Sequence, residues 1–304
     1  MFDIDKGLSF CILLFILAIY CIITIPEVTD GFYHPDYSLV EGRLETWEIT
    51  DIFEGYDIHI RLAMLKASDY LFDNTKVLPF VASILLIVTT YFITTYISKN
   101  NLAGLFAVSI LTSSSLFRMF DTTPTYDNLW VLLYFVALYF SYRLKVWSFV
   151  IFALTLFCKP LTVLFLPAIV YRFRKSKKIL IISGIVLTVS SLFVPSIQFS
   201  QEGFTSGLFD WWFYLFTDTY MIIMVPVIMI LYLVFSIKKI PYSFDMLIGL
   251  LLTSFTGALV EGFTVINNEP YRYIPLLVFF SISMGNLIGM SKFNILEKQK
   301  SKHG

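Results

Sequence analysis

The sequence predicts an all-α fold: a polytopic membrane helix bundle of about nine or ten membrane segments. Three observations predict it. Apolar runs of about 20 residues recur along the chain, the length a helix needs to cross a hydrocarbon core. Of 304 residues, 57% are hydrophobic and 14% charged, where a soluble domain carries about 25% charged residues. One long polar stretch, 26–76, stands alone in this apolar background. The zero formal net charge leaves no basic footprint for a nucleic-acid partner.

The first span is 8–25. The start, Met1-Phe-Asp-Ile-Asp-Lys6, has no basic region and no small-residue cleavage site follows, so this helix is expected to be retained. Residues 26–76 form the long first outer loop. Within it Glu54-Gly-Tyr-Asp57-Ile-His59-Ile-Arg61 gathers two carboxylates, an imidazole and a guanidinium. Ile60, Ala63, Met64, Ala67, Tyr70 and Leu71 then recur at helical spacing, with Arg61, Lys66, Ser68, Asp69 and Asp73 on the opposite arc. That pattern predicts an amphipathic helix lying in the membrane interface. It would hold Asp57 just above the hydrocarbon, where a lipid-linked and a water-borne substrate can meet. A solvated loop with ordinary surface charges is the plain alternative.

Further spans are expected at 77–97, 102–117, 127–143, 178–198, 219–237, 244–266 and 273–290. Segment 146–172 is apolar but broken at Cys158-Lys159-Pro160. Proline stops or kinks a helix, and halves of ~12 residues reach only ~18 Å. The pair is read as a hairpin with Lys159 at its outer tip; hydropathy also permits one kinked span. The tail 291–304 is polar, lysine-rich and expected to fray on the inner side. The run Phe209-Asp-Trp-Trp-Phe-Tyr-Leu-Phe216 reads as an interfacial aromatic belt.

Orientation follows from the basic residues. With both termini in the cytoplasm, only Arg43, Arg61, Lys66, Lys76, Arg118, Lys159 and Arg272 of the 22 lysines and arginines face outward. Only Asp3, Asp5, Asp245 and Glu297 of the 22 acids face inward. This places a multi-pass protein in the cell membrane with a carboxylate-rich outer face. Cys11, Cys21 and Cys158 lie in apolar surroundings without ligand spacing and read as packing residues. No glycine-rich phosphate loop or soluble nucleotide-binding domain is present in the sequence.

Ionisable residues at membrane depth are functional candidates, because they are costly there. Arg118 and Asp121 end the third span, Asp127 and Asn128 open the fourth, Lys159 tips the hairpin, and Glu261 sits late in the penultimate span. Arg272 lies in Pro270-Tyr271-Arg272-Tyr273-Ile274-Pro275, where a bracketed guanidinium suits a pair of phosphate oxygens. Each has a plainer reading: snorkelling for Arg118 and Lys159, a helix cap for Asp127, and a salt bridge to Glu269 or Glu261 for Arg272.

This layout resembles the GT-C superfamily of membrane glycosyltransferases, which use polyprenyl-phosphate-linked sugars. Glu54-Gly-Tyr-Asp57-Ile-His-Ile-Arg61 resembles the first-loop element holding their essential aspartate. Arg118 with Tyr126-Asp127-Asn128 resembles the arginine and second acidic motif of oligosaccharyltransferase catalytic subunits. Lys159-Pro160 is similar to the superfamily's Lys-Pro break. Pro270-Tyr-Arg272-Tyr-Ile-Pro275 is similar to the Arg-Tyr…Pro start of a late span that holds the lipid phosphate. The resemblance covers the membrane region in order, so 1–304 is expected to form one GT-C-like transmembrane domain. Protein mannosyltransferases are distant relatives of the same kind. Leu129 stands where the second motif carries another carboxylate, so no metal site is expected beyond a weak Mg or Mn candidate at Asp57 and Asp127.

The resemblance implies sugar transfer from a polyprenyl phosphate to a glycan, lipid or protein acceptor on the extracytoplasmic face. Asp57 would be the catalytic base. Arg272 with Lys159 would neutralise the donor phosphate, with Tyr271 beside Arg272, and Arg118 would orient Asp57 or contact the phosphate. Asp127 and His59 would contact the acceptor, and Arg61 is a further substrate-binding candidate. Two other readings stand beside it: a transporter or flippase of a lipid-linked or anionic solute, and a non-catalytic subunit of a membrane protein partner.

Overall fold

The computed structural model describes residues 4–30, 37–48, 50–51, 59–124, 128–176, 181–182, 184–185, 201–202, 204–205, 220–256, 258 and 270–300. Every described regular element is helical. In chain order these are α1 (Lys6–Thr29), α2 (Tyr37–Thr46), α3 (His59–Phe72), α4 (Val77–Ser98), α5 (Asn101–Ser113), α6 (Ser115–Phe120), α7 (Asn128–Tyr142), α8 (Trp147–Cys158), α9 (Leu166–Arg172), α10 (Tyr220–Ile237), α11 (Ser243–Ser254) and α12 (Ile274–Lys300). A 3₁₀ turn at Pro160–Phe165 joins α8 to α9, and another at Pro270–Tyr273 leads into α12.

Helix starts are written in the sequence. Asp5 caps α1 by accepting from the Gly7 amide at 2.9 Å. Asn100 caps α5 by accepting from Leu102 and Ala103. Ser114 interrupts the apolar run predicted as one span over 102–117. Its backbone is extended and its hydroxyl accepts from the Phe117 amide at 3.2 Å, so α6 begins there as a new helix. Side-chain oxygens satisfy amides that would otherwise be orphaned at a helix start.

Among the described residues, four helical stretches are long and apolar enough to cross a bilayer: α1, α4, α10 and 271–289. Helix α12 is the hub, with Leu276 to Ile282 almost entirely enclosed. Its Gly285-Asn-Leu-Ile-Gly289 run faces α4 and α5. A Cβ on Gly285 would stand 2.5 Å from the Ala103 carbonyl, and one on Gly289 2.5 Å from the Ser98 Cβ. Two glycines four residues apart let helix backbones approach closely where lipid gives no hydrophobic drive between helices. Phe279 packs at 4.9 Å on Phe135 and against Tyr134 of α7.

Helix α8 packs along α7, and the chain then reverses at Lys159. Lys159 is extended, as expected of a residue before proline. Helix α9 returns beside α7, so that Phe173 comes 5.0 Å from Phe149 at the start of α8. Segment 146–172 is therefore a hairpin and not one kinked span.

The base of the long loop is clamped. The Lys76 ammonium, itself buried, bonds the carbonyls of Glu27 and Asp30 and pairs with the Asp30 carboxylate at 2.7 Å. A cation at the exposed carbonyls of a helix C-terminus is favourable. Asn74 also donates to the Val28 carbonyl. Above this clamp α2 and α3 pack on Val40, Trp47, Leu62 and Leu65, and Lys66 donates to the Trp47 carbonyl.

On α3 Leu62, Leu65 and Ser68 face the protein, Ile60, Ala63 and Met64 of the predicted apolar stripe are partly packed, and Tyr70 and Leu71 of that stripe are exposed. The turn at Ser68, which donates to Asn74 and accepts from Leu78, sets that rotation. Helix α12 continues past the predicted end of the last span to Lys300, a run without proline or glycine to stop it.

Candidate functional site

Three residues singled out in the sequence come together where α8, α6 and the turn before α12 meet. Lys159 Nζ lies 5.9 Å from the centre of the Tyr271 ring, and the Arg272 guanidinium lies 5.7 Å from the same ring. Two cations thus stand within about 6 Å of one aromatic ring. Trp130 of α7 supplies a second ring, 5.8 Å from Lys159. It is held by stacking on Phe165. Phe120, the last residue of α6, meets Tyr271 edge-on at 5.7 Å. The 3₁₀ turn Pro270–Tyr273 aims the group; Tyr273 is wholly enclosed.

Arg272 has only 4% of its surface exposed, and its Nε and Nη1 carry no hydrogen bond. An enclosed guanidinium with open donor positions is costly. It is also a ready fork for two anionic oxygens. The salt bridge to Glu269 or Glu261 considered above falls on positions outside the described residues.

Arg118 projects from α6, exposed, two residues before Phe120. Its charge is felt by Glu27 and Asp121. Arg61 is half-buried in the first turn of α3. His59 is the first residue of that helix, which fixes its backbone. Asp57 and Asp127 lie outside the described residues. So do Glu54, Glu261 and the aromatic run 209–216. Among the described residues no group of three or more His, Cys, Asp or Glu side chains is placed to share a metal ion.

The sequence reading noted Asp121 without giving it a role. It lies in the connection between α6 and α7 and is completely enclosed. Tyr20 of α1 donates to its Oδ2 at 2.5 Å, while Oδ1 carries no hydrogen bond. Its carbonyl accepts from Ser83 at 2.7 Å and from Asn128 at 3.1 Å, tying α1, α4 and α7 at one point. Burial pushes its carboxyl up to about 7; Glu27 adds to that rise, while the Tyr20 bond and Arg118 oppose it. The available signal was an acid directly after an apolar helix, in Arg118-Met-Phe-Asp121.

Comparison with known proteins finds no matching family model, no similar curated protein and no similar solved structure. The fold class that stands is a helical chain with several potential membrane spans.

Proposed function

We propose that this protein is a membrane glycosyltransferase that moves a sugar from a polyprenyl-phosphate donor to an acceptor hydroxyl. The observation that carries this reading is the Lys159–Tyr271–Arg272 cluster: two cations on one ring, one of them enclosed with open donor nitrogens. Charge pairing is strong where water is excluded, so such a pair suits a phosphate that gains charge as it leaves. The resemblance of the Lys-Pro and Arg-Tyr…Pro elements to the GT-C superfamily points the same way.

In the proposed reaction an acceptor oxygen attacks the anomeric carbon. The bond from that carbon to the phosphate oxygen breaks, and its electrons leave with the polyprenyl phosphate. Asp57 takes the acceptor proton. The hydroxyl acidifies as the new bond forms, so a carboxylate is a sufficient base, worth about 10²–10⁴-fold. A single displacement inverts the anomeric centre. Arg272 and Lys159 neutralise the departing phosphate, and Arg118 orients Asp57 or adds a contact to the phosphate. In this reading the Lys159 end of the bundle is the extracytoplasmic face of a cell-membrane protein.

The test supplies membranes with a labelled polyprenyl-phosphate hexose and follows transfer. Asp57→Asn should abolish it, and Arg272→Ala should reduce donor use far more than Lys292→Ala. Undiminished transfer by Asp57→Asn removes that residue from the mechanism. Equal losses in the two cation variants mark general destabilisation instead.

A further inference from the structure

Helix α7 separates the Arg272 cluster from a second polar site. Its first residue, Asn128, holds Asp121, and Trp130 two residues on lies beneath Lys159. Its last residue, Tyr142, lies under the Arg172 guanidinium at 5.4 Å. Fifteen helical residues place the two ends about 21 Å apart. At the Tyr142 end a cavity of about 510 Å³ opens between α9, the end of α10 and the start of α11. Its lining includes Arg172, Arg174, Ser236, Lys239, Tyr242 and Asp245.

We propose that this cavity binds a phosphate group carrying its own hydrogen-bond donor, the chemistry of a glycerophosphate. Either a phosphatidylglycerol headgroup or soluble glycerol 3-phosphate presents it. Volume is sufficient, since small-molecule sites span about 300–1,000 Å³. Charge is lopsided: three cations line the cavity against one carboxylate. Arg172 is already committed to that carboxylate, at 3.3 Å from Asp245 Oδ2. Arg174 and Lys239 are exposed and make no ion-pair contact among the described residues; Arg174 acts on Asp245 only at longer range, so both can still turn to a ligand.

Arg174 is also pre-set. Its guanidinium lies 3.9 Å above the Tyr171 ring, and Nη1 donates to the Tyr171 carbonyl at 2.9 Å. Stacking and one anchoring bond hold the guanidinium beside the cavity and lower the ordering cost of binding. Asp245 supplies the second, independent sign. It is 5% exposed, and its Oδ1 has no hydrogen bond although the residue lines the cavity. A buried acceptor without a donor is costly. A phosphate alone would answer the two cations but press charge against this oxygen. A hydroxyl on the same molecule answers it. The site stands whether or not Arg272 holds a donor phosphate.

The plain competitor is that these basic residues only mark the cytoplasmic face. The test separates the two with a charge-matched pair of double variants. Arg174→Gln/Lys239→Gln removes two cavity cations; Lys175→Gln/Lys238→Gln removes their sequence neighbours, which do not line the cavity. Full-length protein in phosphatidylcholine nanodiscs is titrated with phosphatidylglycerol and, separately, with glycerol 3-phosphate. The expected result is saturable binding of at least one probe, weakened about tenfold or more by the cavity pair and little changed by the control pair. Saturation by the lipid assigns a headgroup, and saturation by the soluble ester alone assigns a metabolite. Equal weakening by both pairs, or no saturable binding of either probe by the wild-type chain, overturns the proposal. If the cavity double variant does not fold, the exposed single change Lys239→Gln carries the same comparison against Lys238→Gln.

Discussion

Replacing Arg272 by methionine should impair the protein's chemistry while strengthening its fold. Methionine keeps much of the length of the side chain and removes the charge. On the functional side, Nε and Nη1 are the two open donors. A hydrogen bond to a charged group contributes about 1.5–3 kcal/mol. Taking the lower value twice gives about 3 kcal/mol, or about 150-fold in kcat/KM for a phosphate-linked donor. On the stability side, each unmet buried donor costs about 1–3 kcal/mol. The contact with Tyr271 returns about 0.5–2 kcal/mol. Removing the guanidinium should therefore stabilise the empty protein by about 1–3 kcal/mol. The assay is transfer from a labelled polyprenyl-phosphate sugar beside thermal unfolding of the same preparation. Arg272→Lys keeps the charge but loses the planar fork, so it should fall between wild type and methionine in transfer. A lowered Tm for Arg272→Met, with activity falling only as the folded fraction falls, would show a structural guanidinium and refute the reasoning.

Three further outcomes follow from other parts of the molecule. The Asp121 carboxyl rises from an ordinary 3.8 to about 7, so the native state holds its proton more tightly than the unfolded chain. Its contribution is complete below about pH 4 and is lost as pH rises to about 7; Asp121→Asn should flatten that part of a stability-versus-pH curve, and an unchanged slope would contradict the assignment. Gly285→Val should lower Tm through a clash with the Ala103 carbonyl, an overpacking cost of about 1–3 kcal/mol, whereas Gly42→Val, with open space around it, should not. Lys76→Met removes the clamp on the end of α1 and should cost about 2 kcal/mol, read as faster proteolysis within 26–76 at unchanged cleavage elsewhere.

The helical class and the hairpin tip were legible because they rest on local chemistry. Apolar length marks a helix, and Lys159-Pro160 marks a break, whatever the chain packs against. The enclosure of Arg272 was legible for the same reason, since prolines and tyrosines bracket it in sequence. Features set by tertiary partners were not. The buried face of α3 depends on where Leu62 and Leu65 find Val40 and Trp47, which helical periodicity alone does not specify. The break at Ser114 rests on one hydroxyl choosing an amide within an apolar run. Asp121 became conspicuous only when Tyr20, a hundred positions earlier, closed over it. The cavity at Arg174 and Lys239 joins segments that composition reads simply as basic loops.

The most direct measurement is the affinity of the purified protein for a polyprenyl monophosphate against the matching polyprenol. The two ligands share their apolar chain and differ only in the group that Lys159 and Arg272 would hold. Preference for the phosphate by about a hundredfold, lost in Lys159→Met/Arg272→Met, is the expected result. Equal binding of phosphate and alcohol by the wild-type protein would contradict the account.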